Sequence, residues 1–164
     1  MATTSNIEAL TEKMVSFINE IGIPCKENNL SDDTFLPGLD ISDGVLYYDA
    51  AKMKYPGDLL HEAGHIAVLN AEDRKTVSGP DKINGDLDAG AAEMGAIAWS
   101  WAALKHLDLP EEVVFHENGY KGGSESLVSS FRIGSGVGYP ILRWLRMTDD
   151  NGQNFPAMCA WLRP

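Results

Sequence analysis

Apolar residues recur three and four apart near the start of the chain: Ile7, Leu10, Met14, Phe17, Ile18 and Ile21 fall on one stripe of a 3.6-residue repeat. An amphipathic helix is expected over residues 5–21, with Ser5 and Glu8 at the spacing of a capping box. The pattern then changes. "FLPGLDISDGVLYYDAA" reads as two short extended segments around Ser-Asp-Gly, because Asp-Gly supplies the positive backbone dihedrals of a tight hairpin.

Pro56 and Gly57 break the chain, and Asp58 places negative charge in a first helical turn. Leu59, Leu60, Ala63, Ile66, Ala67 and Leu69 then fit a largely buried helix to about residue 70. Polar "NAEDRKTVSGPDKING" reads as a loop, followed by a second helix in "DLDAGAAEMGAIAWSWAALKHL", apolar along its length and expected to pack on the first. Within it Met94, Ile97, Trp101 and Leu104 repeat at helical spacing as core residues, while Trp99 lies on another flank where it would cover a cleft. After Pro110, "EEVVFHE" suggests a helical turn and "NGYKGGSES" a flexible loop. "SLVSSFRI" and "YPILRWLRM" are apolar segments whose pattern does not choose between helix and strand. No repeat or linker divides the chain, so one mainly helical α+β domain over residues 1–164 is expected.

Composition narrows the classes. With 164 residues, 44% of them apolar, the chain can bury a core of its own. A net charge of −11 opposes binding to a phosphate backbone, and the 13 Lys and Arg are scattered apart from Arg143, Arg146 and Arg163. Nucleic acid is not an expected partner. No apolar run approaches the roughly 18 residues of a membrane span, and "MATTSNIEAL" lacks the pattern of a secretory signal, so no membrane association and a cytoplasmic setting are expected. Cys25 and Cys159 form no paired motif and read as free, partly buried thiols. Oligomeric state is not encoded in any of these features.

The chemistry concentrates in "DLLHEAGHIAVLN", residues 58–70. Residues four apart in a helix share a face, so His61 and His65 can hold one metal ion, with Glu62 beside them. In this H-E-x-x-H spacing the imidazoles hold zinc and the glutamate takes a proton from the water that the metal activates. Ala63 and Gly64 between the histidines are small enough to leave room for metal and substrate, and a glycine inside a helix suggests that something packs close. A catalytic zinc normally has three protein ligands. Glu93 is the expected third, a carboxylate in the apolar company of "AGAAEMGAIAW", with Gly90, Ala91, Ala92, Gly95 and Ala96 allowing close helix approach. Asp86 or Asp88 would orient a ligand histidine or replace Glu93. His116, Tyr120 and Tyr139 are candidates for stabilising an oxyanion. His106 lies 13 residues after Glu93, too far along a helix to share the ion, and reads as a C-terminal histidine of that helix.

At "HEAGH" the sequence resembles the zincin metallopeptidases, and with Glu93 on the following helix it looks like their gluzincin branch. The order helix, two short strands, H-E-x-x-H helix and glutamate helix, over roughly residues 5–114, resembles the ImmA/IrrE type of small cytoplasmic metallopeptidase. The carriers are "GVLYYD", "LLHEAGHI" and "EMGAIAWSWAALKHLDLPEEVV". The resemblance departs from that family in a longer glutamate helix and in the absence of a helix-turn-helix domain. It implies a zincin-like domain with its sheet beside the motif helix, one Zn2+ on His61, His65 and Glu93, and a peptide or protein substrate. Glu62 would serve as general base and then deliver the proton to the leaving amine. Two other readings stand beside it. One is a non-catalytic zincin-like domain that keeps metal for regulation or interaction; the other is a peptide-deformylase-like enzyme, whose remaining ligand would be a cysteine.

Overall fold

The computed structural model describes residues 4–79, 83–149 and 154–164. Among the described residues, six helices and a three-stranded sheet make a mainly helical α+β fold. Helix α1 (Thr4–Glu20) buries Met14, Phe17 and Ile18 on the expected stripe, but Ile7, one turn from its start, is 41% exposed. Ser5 already lies inside the helix and so cannot cap it. Strand β1 (Cys25–Glu27) follows and was not foreseen, since three residues are too few for a period to register.

Strands β2 (Leu39–Ser42) and β3 (Val45–Tyr48) form the expected antiparallel hairpin. Asp43 and Gly44 at its tip have φ of 48° and 75°, the two left-handed residues that match a hairpin turn to strand twist. β1 pairs with β3 in parallel, giving the order β1-β3-β2. Cys25, Leu39, Ile41 and Leu46 are buried in the main apolar cluster. Burial pushes the Cys25 thiol up to about 12, which leaves it an unreactive core group. Cys159, by contrast, is exposed.

Helix α2 (Asp58–Ala67) carries the H-E-x-x-H motif and buries Leu59, Leu60, Ala63, Ile66 and Ala67 completely. The segment after it is not all loop. Residues Ala71–Thr76 form helix α3, capped by the Asn70 side chain, which accepts from the backbone of Glu72 at 3.1 Å and Asp73 at 2.9 Å. Acidic residues in its first turn and Arg74 and Lys75 in its last complement the helix dipole, and it buries no residue, so no apolar period announces it. The part of the expected loop at 80–82 lies outside the described residues.

Helix α4 (Ala89–His106) starts at Asp88, whose side chain caps it by accepting from Ala91 N at 2.9 Å. Every residue from Gly95 to Leu104 is buried, because α4 packs on α2 on one side and on helix α6 (Tyr139–Trp144) on another. Met94, expected in the core, is 38% exposed. Trp99, expected over a cleft, is fully buried: it packs against Phe17 and Trp161 and donates from Nε1 to the Trp161 carbonyl at 2.9 Å. After a single turn at Glu111–Val113, Ser124–Arg132 forms helix α5, so both apolar segments of ambiguous period are helical. His106 ends α4, beside the rings of Phe17 and Trp161.

Helices α2 and α4 approach closely at Gly64. A Cβ there would lie 2.9 Å from the Ala96 carbonyl oxygen, 3.1 Å from Ala96 Cα and 3.2 Å from the Trp99 ring. The glycine therefore makes room for the neighbouring helix, and not for metal or substrate. Two of the three clashes are with backbone, which cannot swing aside. Gly64→Ala is expected to lower stability by about 1–3 kcal/mol, even though alanine gains about 1 kcal/mol of helix propensity. Chemical denaturation measures it, and unchanged or higher stability would contradict the packing role.

Candidate metal and active site

His61 and His65 leave α2 one turn apart and point toward the first turns of α4, where Glu93 meets them. His65 Nε2 lies 3.2 Å from His61 Nε2 and 2.9 Å from Glu93 Oε2, and His61 Nε2 lies 3.5 Å from Glu93 Oε1. Glu62, between the histidines in sequence, has a carboxylate oxygen within 4.8 Å of a ring nitrogen of each.

The donor set fits a zinc ion. Ligands about 2.0–2.1 Å from a tetrahedral zinc are about 3.3 Å apart, and the separations here, which reach one Glu93 oxygen from His65 and the other from His61, bracket that edge. Glu93 is the only one of the three that carries formal charge when the imidazoles are neutral. Hydrogen bonds to His61 and then His65 hold its carboxyl far below the usual carboxylate range, which keeps it an anionic donor.

Glu62 is perturbed the opposite way. Its side chain is buried, Oε2 has no hydrogen-bond partner among the described residues, and burial pushes its carboxyl up to about 7, against the opposing pull of His65. Two carboxylates beside one pair of imidazoles are thus separated into a fixed anion and a group that can exchange a proton near neutrality. That is the division of labour needed between a ligand and a general base.

No protein-family model, curated protein or solved structure matches this chain. Its chemistry therefore has to be read from the cleft itself.

The cleft has a volume of about 700 Å³, with Asp58, His61, Glu62 and His65 along its floor and Glu93 at its side. Phe35, Leu36 and Pro37 make an apolar wall. That wall is fixed by the bridge between Leu36 and Leu39 and by buried Asp49, which accepts from Leu30 N at 3.1 Å and Ala51 N at 3.1 Å. Tyr55, His116, Asn118 and Tyr120 also line the cleft, with Lys54 and Lys121. The His116 ring stacks on Tyr55 with centroids 3.7 Å apart, and its Nε2 lies 3.2 Å from Asp58 Oδ1. Asn118 Nδ2 donates to the Tyr55 hydroxyl at 2.8 Å, closing that side.

Four expected residues, His61, Glu62, His65 and Glu93, therefore converge. The aspartates do not join them: Asp86 makes a two-pronged ion pair with Arg163, at 2.7 and 3.0 Å, and Asp88 is spent on capping α4. Of the oxyanion candidates, His116 and Tyr120 line the cleft, but the Tyr120 hydroxyl lies 3.1 Å from His61 Nδ1. Tyr139 packs on Phe155 and lines a different cavity with Arg143 and Trp144. Neither cysteine lines the cleft, so a cysteine ligand has no support. Sequence reasoning overlooked Asp58 as a floor residue, although 58, 61 and 65 lie at the three- and four-residue spacing of one helix face. Tyr55, Asn118 and the 35–37 wall carried no such signal.

The raised Glu62 carboxyl gives a pH-dependent prediction for the metal-free protein. A group that binds its proton more tightly when folded favours the native state fully below its unfolded value of 4.5, and loses that contribution as pH rises through about 7. Glu62→Gln removes the ionisation. The stability of the variant relative to the parent should shift in its favour by about 3 kcal/mol between pH 4 and pH 8. Urea denaturation across that range measures it, and a pH-independent difference would show that Glu62 ionises normally.

Proposed function

We propose that this protein is a zinc-dependent hydrolase, a peptidase of the gluzincin kind resembling the ImmA/IrrE-type enzymes. One arrangement carries the reading: the ring nitrogens of His61 and His65 and the two carboxylate oxygens of Glu93 at zinc-like separations, with the unbonded carboxylate oxygen of buried Glu62 alongside. A zinc ion held there would supply a Lewis acid for a carbonyl oxygen and lower the pKa of a water to about 7.

The chain's own residues supply the rest. Glu62 accepts the proton of the attacking water and passes it to the leaving amine, which suits a carboxyl raised to about 7. The apolar 35–37 wall and the Tyr55 face would hold a substrate segment across the floor, and a cleft of this volume has room for a few residues of an extended peptide. A zinc kept only for stability or sensing would have no use for a base in Glu62's position, so Glu62 favours hydrolysis over the non-catalytic reading. A cytoplasmic setting is part of the proposal, supported by two free cysteines; none of the described helices is long and apolar enough to cross a membrane.

The test begins with metal content. Protein purified without added metal should carry about one zinc per chain, and His61→Ala, His65→Ala and Glu93→Ala should each weaken zinc binding by more than about 100-fold in chelator competition. Glu62→Gln should keep the zinc and lose about 100- to 10,000-fold in the rate of cleavage of a peptide library. Absence of zinc from the parent, with no binding on addition, would end the proposal. Full activity in Glu62→Gln would remove Glu62 as base.

A further inference from the structure

Two lysines stand in the cleft of a protein whose net charge is −11. Lys54 and Lys121 line it, and both are exposed. Neither forms an ion pair with another described residue, whereas Lys52, Lys105, Arg132 and Arg163 each have a carboxylate partner. The carboxylates of the cleft are engaged elsewhere: Asp58 with His116 at 3.2 Å, and Glu93 with His65 and His61 at 2.9 and 3.5 Å. Glu62 is buried in the floor and pairs with neither lysine.

Both lysines sit on anchored segments. Asn118 Nδ2 donates to the Tyr55 hydroxyl at 2.8 Å, which joins the segment that carries Lys54 to the one that carries Lys121. The Lys54 ammonium lies 5.3 Å from the centre of the Tyr55 ring, on which His116 stacks. Ser124 Oγ donates to the His116 carbonyl at 2.7 Å and fixes the base of the 116–124 loop. Lys121 follows Tyr120, whose hydroxyl lies 3.1 Å from His61 Nδ1, so its backbone is tied close to the donor atoms.

The loop also takes on strain where glycine would have avoided it. Tyr120, Lys121 and Gly122 have φ of 51°, 55° and 82°, and only the third is the residue suited to a left-handed backbone. Gly119 and Gly123, on either side, have ordinary φ of −85° and −89°. The strain thus falls on the two side chains that line the cleft, and strain held in place at a cleft points to a functional constraint. What Lys121 brings there is a positive charge, in a cavity whose Phe35–Pro37 wall carries none.

We propose that Lys54 and Lys121 form a carboxylate-binding subsite, so that the cleft takes peptides bearing an acidic side chain or a free C-terminus. The fate of the bound peptide rests on the hydrolase reading above; the subsite itself does not. The preference runs against the net charge. Long-range repulsion from a surface of −11 ranks a lysine peptide first and a glutamate peptide last, and the subsite reverses that order. Each contact is an exposed ion pair, so a preference of about tenfold is the scale that two together supply.

The probes are end-blocked Leu-Glu-Leu, Leu-Gln-Leu and Leu-Lys-Leu, and Leu-Gln-Leu with a free C-terminus. Each is titrated into 15N-labelled protein as purified, and the amide signals of Asn118 and Gly119 report binding. The parent should bind the glutamate or the free-acid peptide about tenfold more tightly than end-blocked Leu-Gln-Leu, with Leu-Lys-Leu weakest. Which acid binds better tells a side chain from a terminus. Lys54→Met combined with Lys121→Met keeps the apolar stems and should erase the preference, putting Leu-Lys-Leu first. A bound metal attracts carboxylates in both proteins, so only the difference between them is assigned to the lysines. A parent that ranks Leu-Lys-Leu first, no shift with any probe, or an acid preference that survives the double substitution overturns the proposal. A lysine-dependent preference in protein that binds no zinc upholds the subsite and removes the hydrolase reading, and cleavage without such a preference does the reverse.

Discussion

Everything at the centre of this protein depends on how closely α2 and α4 approach. A glutamate side chain is short, and Glu93 reaches two imidazoles on another helix only because the backbones nearly touch, Gly64 lying against Ala96. The contact point falls one residue from His65 and three from Glu93, within one helical turn of both. At that separation a few tenths of an ångström decide whether the three donor atoms stand at ligand distance or merely near one another.

The same approach sets the electrostatics. Drawing two helices together desolvates whatever lies between them, and the two carboxylates respond in opposite ways according to their partners. Glu93, beside both imidazoles, stays ionised; Glu62, buried with one oxygen unsatisfied, binds its proton more tightly than an ordinary carboxyl. Packing and acid–base chemistry are one arrangement here, since the apolar surfaces that bring the helices together also create the low-dielectric space in which the carboxylates diverge.

How much of this could be read from the chain follows the range of each signal. The hairpin was legible because Asp43-Gly44 states its own geometry, and the motif helix because His61, Glu62 and His65 are related by spacing alone. Glu93 was legible because a carboxylate among alanines is conspicuous. Helix α3 was hidden because it buries nothing and is held by a cap instead of a core. Trp99 was misplaced because α4 is apolar all round, so its sequence has no polar face to show which side meets the cleft. Gly64 was correctly suspected of a close neighbour, but the neighbour was a helix and not a substrate. Tyr120 stood among the candidates, yet its relation to His61 spans 59 residues and a left-handed turn, and nothing local spells such a contact.

Residues near position 160 tie the two helices that carry the site. The Trp161 carbonyl accepts from Trp99, Arg163 N donates to the Ala67 carbonyl at 3.0 Å where α2 ends, and the Arg163 guanidinium grips Asp86 just before α4. These ties cross 62 to 96 positions of chain and tether both helices to the same terminal segment. Seen kinetically, the helices can form early from local interactions, but the contacts that lock their spacing require loop closures that come late. An ion that binds only the finished site would therefore act after the search for the fold is over, slowing the return to the unfolded chain far more than it speeds the way in.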